Sequence, residues 1–151
     1  MTLYLEDLSV GQIFRSESRV LTAEEMIRFA RDNDPQYFHL DAEAAKASLF
    51  GGLVASGWQT AALSMRLLVE GPAPFAGGLV GMSADLSWPK PVRPGDSIRI
   101  EAEVTLISRS RSRPDRGIVS FRLTTYNQRD EPVQELSARV LVFARAGEEP
   151  H

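Results

Sequence analysis

Phe50-Gly51-Gly52-Leu53-Val54-Ala55-Ser56-Gly57 runs straight into Trp58-Gln59-Thr60-Ala61-Ala62-Leu63-Ser64-Met65-Arg66-Leu67-Leu68-Val69-Glu70, and the second half of this stretch decides the fold. From about Gly57 to Glu70 it reads as one helix. Gln59, Arg66 and Glu70 are its main polar positions and leave only a narrow wet face. A helix that is apolar nearly all round is a buried one, so other elements have to wrap it.

The chain after Gly77-Gly78 supplies the wrapping. Leu79 to Trp88, Ser97 to Ser108, Gly117 to Tyr126 and Val133 to Ala144 are strand-like. Ile98-Arg99-Ile100 and Val119-Ser120-Phe121-Arg122-Leu123 alternate with period two. Pro94-Gly95-Asp96 and Asn127-Gln128-Arg129-Asp130 carry turn chemistry. A buried helix followed by a run of long antiparallel strands is an α+β arrangement. The expected architecture is an antiparallel sheet wrapped around a buried central helix.

Upstream, Thr22-x-x-Glu25 has the form of a capping box. Met26, Ile27, Phe29 and Ala30 follow it as an apolar stripe at helical spacing. This pattern fails near Asp32-Asn33-Asp34-Pro35, because the residue before proline avoids the α region. Asp41 caps a short helix that reaches Ala47. Repeats and linkers are not visible, so residues 1–151 read as one domain.

Composition narrows the function. The chain of 151 residues is 43% apolar and 25% charged, enough apolar material for a core and too much for disorder. A formal charge of -3 argues against nucleic acid as the partner, since phosphate binding wants a basic surface. The absence of cysteine excludes a disulfide scaffold, a thiolate metal site and a cysteine nucleophile. The opening residues Met1 to Asp7 lack a basic segment followed by an apolar run. No stretch approaches the ~20 apolar residues of a membrane helix. A cytoplasmic location with no membrane partner is expected.

Histidine is scarce. His151 ends the sequence and is expected to be disordered, which leaves His39. Taken by residue type, a loop histidine with a structural hydrogen bond is the common case. Its neighbourhood argues otherwise. Asp34 precedes it by five positions across a proline break. A carboxylate and an imidazole held together can grip one water from two sides, the carboxylate taking a proton while the imidazole orients the water or returns one. The glycines before the buried helix admit a ligand close to the backbone. Free amides and the helix dipole there suit a developing oxyanion, although such glycines also serve tight packing alone.

Together these segments resemble the MaoC-like dehydratase family, which includes the (R)-specific enoyl-CoA hydratases. That family carries Gly-Asp-x-Asn-Pro-Ile-His, then Phe-Gly-Gly, then His-Gly at the start of its central helix. The matching residues here are Asp34-Pro35-Gln36-Tyr37-Phe38-His39, Phe50-Gly51-Gly52 and Ser56-Gly57. The interval from His39 to Gly57 also fits. Lys90-Pro91-Val92-Arg93-Pro94-Gly95-Asp96-Ser97 looks like the family's Lys-Pro-Val-x-Pro-Gly-Asp-Thr strand entry. The resemblance covers about residues 5 to 145. There are departures: Asn33 precedes the aspartate in place of glycine, Gln36 and Tyr37 replace the motif's Asn-Pro, and Ser56 replaces the histidine before Gly57. A second registration, with Asp32 as the motif aspartate, would lengthen the spacing to His39, so Asp34 is preferred.

The resemblance implies a hotdog fold and hydration or dehydration of enoyl-CoA or 3-hydroxyacyl-CoA thioesters, with no metal or organic cofactor. It implies Asp34 as general base, His39 as its partner on the water and the Gly57 amide as oxyanion donor. Gln36, Ser56 and Gly52 are expected against the substrate, with Ser56 helping Gly57 at the thioester oxygen. A homodimer formed by sheet pairing is implied as well. Two alternatives stay open at this point: a hotdog acyl-CoA thioesterase and a non-catalytic acyl-CoA binding protein. The basic run from Arg109 to Arg116 reads as a solvated hairpin loop, with contact to coenzyme A phosphates as the sharper reading. Trp58 and Trp88 are expected in the core or at an interface.

Overall fold

A computed structural model of the protein describes residues 1–145. His151 lies outside the described residues. After a 3-10 turn at Leu5–Asp7 come the short strands β1 (Ile13–Arg15) and β2 (Arg19–Val20), then helix α1 (Ala23–Asn33). Two single-turn helices follow, α2 (Tyr37–Leu40) and α3 (Ala42–Ala45), and then the long helix α4 (Gly57–Glu70). The remaining strands are β3 (Val80–Ser87), β4 (Ser97–Arg109), β5 (Arg116–Tyr126) and β6 (Pro132–Phe143). The four long strands lie within a residue of the bounds expected from their alternation.

The sheet runs β1-β4-β5-β6-β3, with β2 also paired to β4. Every strand pairing is antiparallel. The register places Arg99 opposite Tyr126 at one end of the β4–β5 pair and Arg109 opposite Gly117 at the other. Alternate residues of β4 and β5 point to the α4 side and are fully buried, among them Ile98, Ile100, Ala102, Val104 and Val119. Helix α4 packs against β4 and β6. Leu68 joins the core with Ile100, Phe121 and Val140. Leu63 joins a second cluster with Leu21, Met26, Ile98 and Val133. Burying a leucine of this kind contributes about 1.5–3 kcal/mol, which is how the sheet holds the helix. This is the hotdog arrangement expected from the sequence.

The helix is not covered on every side. Trp58, Met65 and Val69 are 61%, 44% and 42% exposed and form one stripe at helical spacing. Strand β3 ends the sheet, and Val80 and Met82 on it are exposed. The apolar pattern of α4 therefore wraps further round the helix than the chain's own sheet does.

The caps follow the sequence with one difference. Thr22 accepts from the Glu25 amide at 3.2 Å, but the Glu25 carboxylate turns to Arg19 at 3.5 Å rather than closing the box. Asp41 caps α3 by accepting from the amides of Glu43 and Ala44. The basic run is an exposed hairpin connection, with Arg109 beside Glu6 and Arg116 beside Asp115. It sits at the far end of β4 from Ser97, roughly 35–40 Å away at ~3.3 Å per residue.

Candidate active site

The site forms where α1 ends and α4 begins. Pro35 prevents α1 from continuing, and Asp34 stands at its C-terminal cap. The chain then makes the single turn α2, which carries His39. Val54 donates its amide to the Phe38 carbonyl at 3.1 Å, so the segment leading into α4 is tied to α2. Gly51, with φ +67°, makes the bend that lets Phe50 fold back to the site.

Four side chains converge. His39 Nε2 lies 3.2 Å from Asp34 Oδ2. Ser56 Oγ donates to the same oxygen at 2.7 Å. Gln36 Nε2 donates to Asp34 Oδ1 at 2.6 Å. His39 Nδ1 lies 2.7 Å from the Val54 carbonyl. A carbonyl only accepts, so Nδ1 carries hydrogen and donates. In the neutral ring Nε2 is then a bare acceptor facing a carboxylate. At 3.2 Å the two atoms leave no room for a water between them, and a water that touches both does so from the side.

Burial pushes the Asp34 carboxyl up. The hydrogen bonds from Gln36 and Ser56 and the nearby His39 charge outweigh it, and hold the group below the ordinary aspartate range. Asp34 is thus a carboxylate at neutral pH, with both oxygens fixed in direction.

Ser56 is the N-cap of α4, yet its side chain caps nothing; its hydroxyl proton belongs to Asp34. Where the sequence points this hydroxyl at a thioester oxygen, the structure has it donating to the carboxylate. The amides of Gln59 and Thr60 donate to the Ser56 carbonyl. Among the described residues the Gly57 amide has no acceptor, and it stands at the positive end of a 14-residue helix. That leaves the Gly57 amide free to donate to a bound oxygen.

A cavity of about 330 Å³ opens beside this group, lined by His39, Gly57, Thr60, Trp88 and Val133 with Phe38, Phe50 and Lys90 near by. Asp34 reaches it through the His39 contact. The structure moves two expected substrate residues away from the cavity. Gln36 is exposed and spends its amide on Asp34, standing in for the motif asparagine. Gly52 faces the Arg93 guanidinium, whose Nη2 donates to the Phe50 carbonyl at 2.7 Å. Asp32 lies exposed on α1, so the structure brings Asp34 and not Asp32 to His39. Trp88, expected in the core or an interface, forms a cavity wall. Its ring lies against Gly57, where an added Cβ would come within 2.5 Å of the indole Cε2. Among the described residues no cluster of histidine and carboxylate side chains could hold a metal ion, and no helix is long and apolar enough to cross a membrane.

The sequence profile of the MaoC like domain matches residues 8–127, a span that includes Asp34, His39, Ser56 and Gly57. The chain belongs to the MaoC-like dehydratase family. The 3-hydroxybutyryl-CoA dehydratase of Methylorubrum extorquens is 33% identical over 115 residues, 74% of this chain and 69% of that protein. The uncharacterized protein YdeM of Bacillus subtilis is 34% identical over 141 residues, 91% of this chain and 97% of that one. The crystal structure of the MaoC-like dehydratase from Rhodospirillum rubrum superposes with a TM-score of 0.92 at 53% identity, covering 95% of this chain and 98% of that one. The (R)-hydratase from A. caviae involved in PHA biosynthesis gives 0.73 at 28% identity, covering 89% and 97%.

The contact between Gly57 and Trp88 gives a test within this MaoC-like site. Gly57→Ala forces the indole to move, and overpacking of this kind costs about 1–3 kcal/mol. A fall in kcat of at least ~10-fold is expected, with a changed near-ultraviolet dichroism of tryptophan. Gly52→Ala meets only Arg93 Nη1, at 3.5 Å, and should be mild. The reverse ranking in steady-state assays would contradict this account of the helix start.

Proposed function

We propose that the protein is a hydratase/dehydratase that interconverts enoyl-CoA and (R)-3-hydroxyacyl-CoA thioesters by general acid–base catalysis, without metal or organic cofactor. The observation that carries this reading is the Asp34–His39 pair beside a cavity that also holds the unengaged Gly57 amide. The names of the Methylorubrum and A. caviae proteins point the same way.

In the hydration direction a water on the cavity side of the pair is hydrogen-bonded to Asp34 and to His39 Nε2. Its oxygen attacks the substrate Cβ while Asp34 takes a proton. The double-bond electrons move toward the thioester oxygen, where the Gly57 amide meets the growing negative charge. The pair then returns a proton to Cα. Water and proton arrive from one side, so the addition is syn. A thioesterase would use the same oxyanion donor, but nothing beyond it favours that reading.

The uncovered stripe of α4 and the free edge of β3 support a homodimer paired through β3. An edge strand carrying exposed Val80 and Met82 is otherwise an aggregation risk.

The test is to incubate the purified protein with short enoyl-CoA thioesters, following double-bond absorbance and free thiol together. Loss of the conjugated double bond, formation of the (R)-3-hydroxyacyl-CoA, little thiol release and no effect of EDTA are expected. Rapid thiol release with the double bond intact would make the protein a thioesterase. Binding without turnover on any thioester would make it an acyl-CoA binding protein.

A further inference from the structure

The cavity has a floor, set by residues of α4 and the strands beneath it. Gly57 and Thr60 lie on one face of α4, one turn apart. Thr60 is 2% exposed and lines the cavity, and among the described residues its hydroxyl makes no hydrogen bond. One turn further, Ser64 is already outside the cavity. Its hydroxyl bonds Thr125 Oγ1 at 2.6 Å and the Thr60 carbonyl at 2.7 Å, and it accepts from Gln134 Nε2 at 3.3 Å. Ser64, Thr125 and Gln134 are all fully buried. They form a satisfied polar layer that closes the cavity beneath Thr60, and entering it would mean breaking buried hydrogen bonds.

The same layer fixes the side wall. Gln134 Oε1 accepts from Trp88 Nε1 at 3.0 Å. The indole is also braced edge-on by Trp58, with ring centres 5.3 Å apart at 81°. Trp88 is thus held against Gly57, beside the position where a thioester would be bound.

We infer that this pocket accepts acyl groups of about four carbons, and that Trp88 is the wall that excludes longer chains. This rests on the hydratase reading above. Three residues of helix rise about 4.5 Å, and an extended chain advances about 1.2 Å per bond. The space between the Gly57 amide and the Thr60 floor therefore holds only a few carbons beyond the thioester carbonyl. A volume of about 330 Å³ is at the low end of the ~300–1,000 Å³ usual for small-molecule sites. Apart from His39, Lys90 and the Thr60 hydroxyl the lining is apolar, with Phe38, Phe50, Val54, Trp88 and Val133 among it, which suits an uncharged acyl tail.

The experiment compares kcat/KM for trans-2-butenoyl-CoA and trans-2-octenoyl-CoA in the wild type, Trp88→Ala and Trp88→Leu. The ratio is taken within one sample, so a partly inactive preparation leaves it unchanged. The wild type is expected to prefer the four-carbon substrate by at least ~10²-fold, in line with discrimination per methylene in tight pockets. Each variant should relax that ratio at least ~10-fold, Trp88→Ala more than Trp88→Leu. A wild-type ratio near one, or variants that keep the wild-type ratio, overturns the inference. If the wild type hydrates neither substrate, the hydratase reading fails separately. The pocket is then judged by binding of butyryl-CoA and octanoyl-CoA, read by tryptophan fluorescence. Tighter binding of the short thioester by at least ~10-fold supports the inference, and equal affinities overturn it.

Discussion

Asp34→Asn is expected to lower kcat at least ~10²-fold with the fold intact, the range usual when a general base is removed. Asparagine keeps the shape of the side chain. It can still accept from Gln36 or Ser56, the two donors that fix the carboxylate at 2.6 and 2.7 Å, but it cannot take a proton from water. Asp32→Asn provides the contrast. Asp32 is exposed on α1, and its loss should leave turnover within a few-fold of the wild type. A damaging Asp32→Asn with a mild Asp34→Asn would show that the motif had been placed two residues off.

The lowered Asp34 value adds a pH dependence of known sign. A carboxyl held below its unfolded value of about 3.9 contributes stability that is present above that pH and lost as pH falls through the folded value. The wild type should therefore lose stability relative to Asp34→Asn between pH 5 and pH 2. Urea unfolding midpoints of the two proteins, measured across that window, report it.

Much of the fold was legible because the sequence patterns were long. Strands β4, β5 and β6 each carry enough alternating residues to define a face, and α4 has almost four turns. Strands β1 and β2 were missed because three and two residues cannot display a period. Helix α2 was missed for the same reason, although its single turn is what presents His39. The extent of α4's burial was overestimated: an apolar stripe shows that a surface wants covering, but not whether the same chain covers it. Trp58, Met65 and Val69 stand on the stripe that this chain leaves bare.

The Asp34–His39 contact is legible because one local motif holds both residues, and the free Gly57 amide because a helix starts there. The sequence points Gln36 and Ser56 at the substrate; in the structure both side chains donate to Asp34. Ser56 lies 22 positions from Asp34, and no local spacing links the two. A serine before a helix normally reads as a cap, which here conceals its donation to a carboxylate. Trp88 was hidden for a similar reason: it meets Gly57 only because β3 delivers it to the start of α4.

Replacing His39 should be nearly as damaging as replacing Asp34. The residue is 6% exposed and holds two partners on opposite edges of its ring, the Val54 carbonyl and Asp34. His39→Gln approximates the reach of Nε2 but has no group that binds and releases a proton. It also leaves the Val54 carbonyl unpaired, an unmet buried acceptor that costs about 1–3 kcal/mol. His39→Asn separates these effects, because its amide NH2 can donate to Val54 as Nδ1 does while nothing reaches Asp34. Both variants should lose at least ~10²-fold in kcat, with His39→Asn the more stable to urea. Imidazole is the side chain whose charge changes between pH 5 and 8. Near-normal turnover in either variant would remove the histidine from the proton transfer and leave Asp34 to act on water alone.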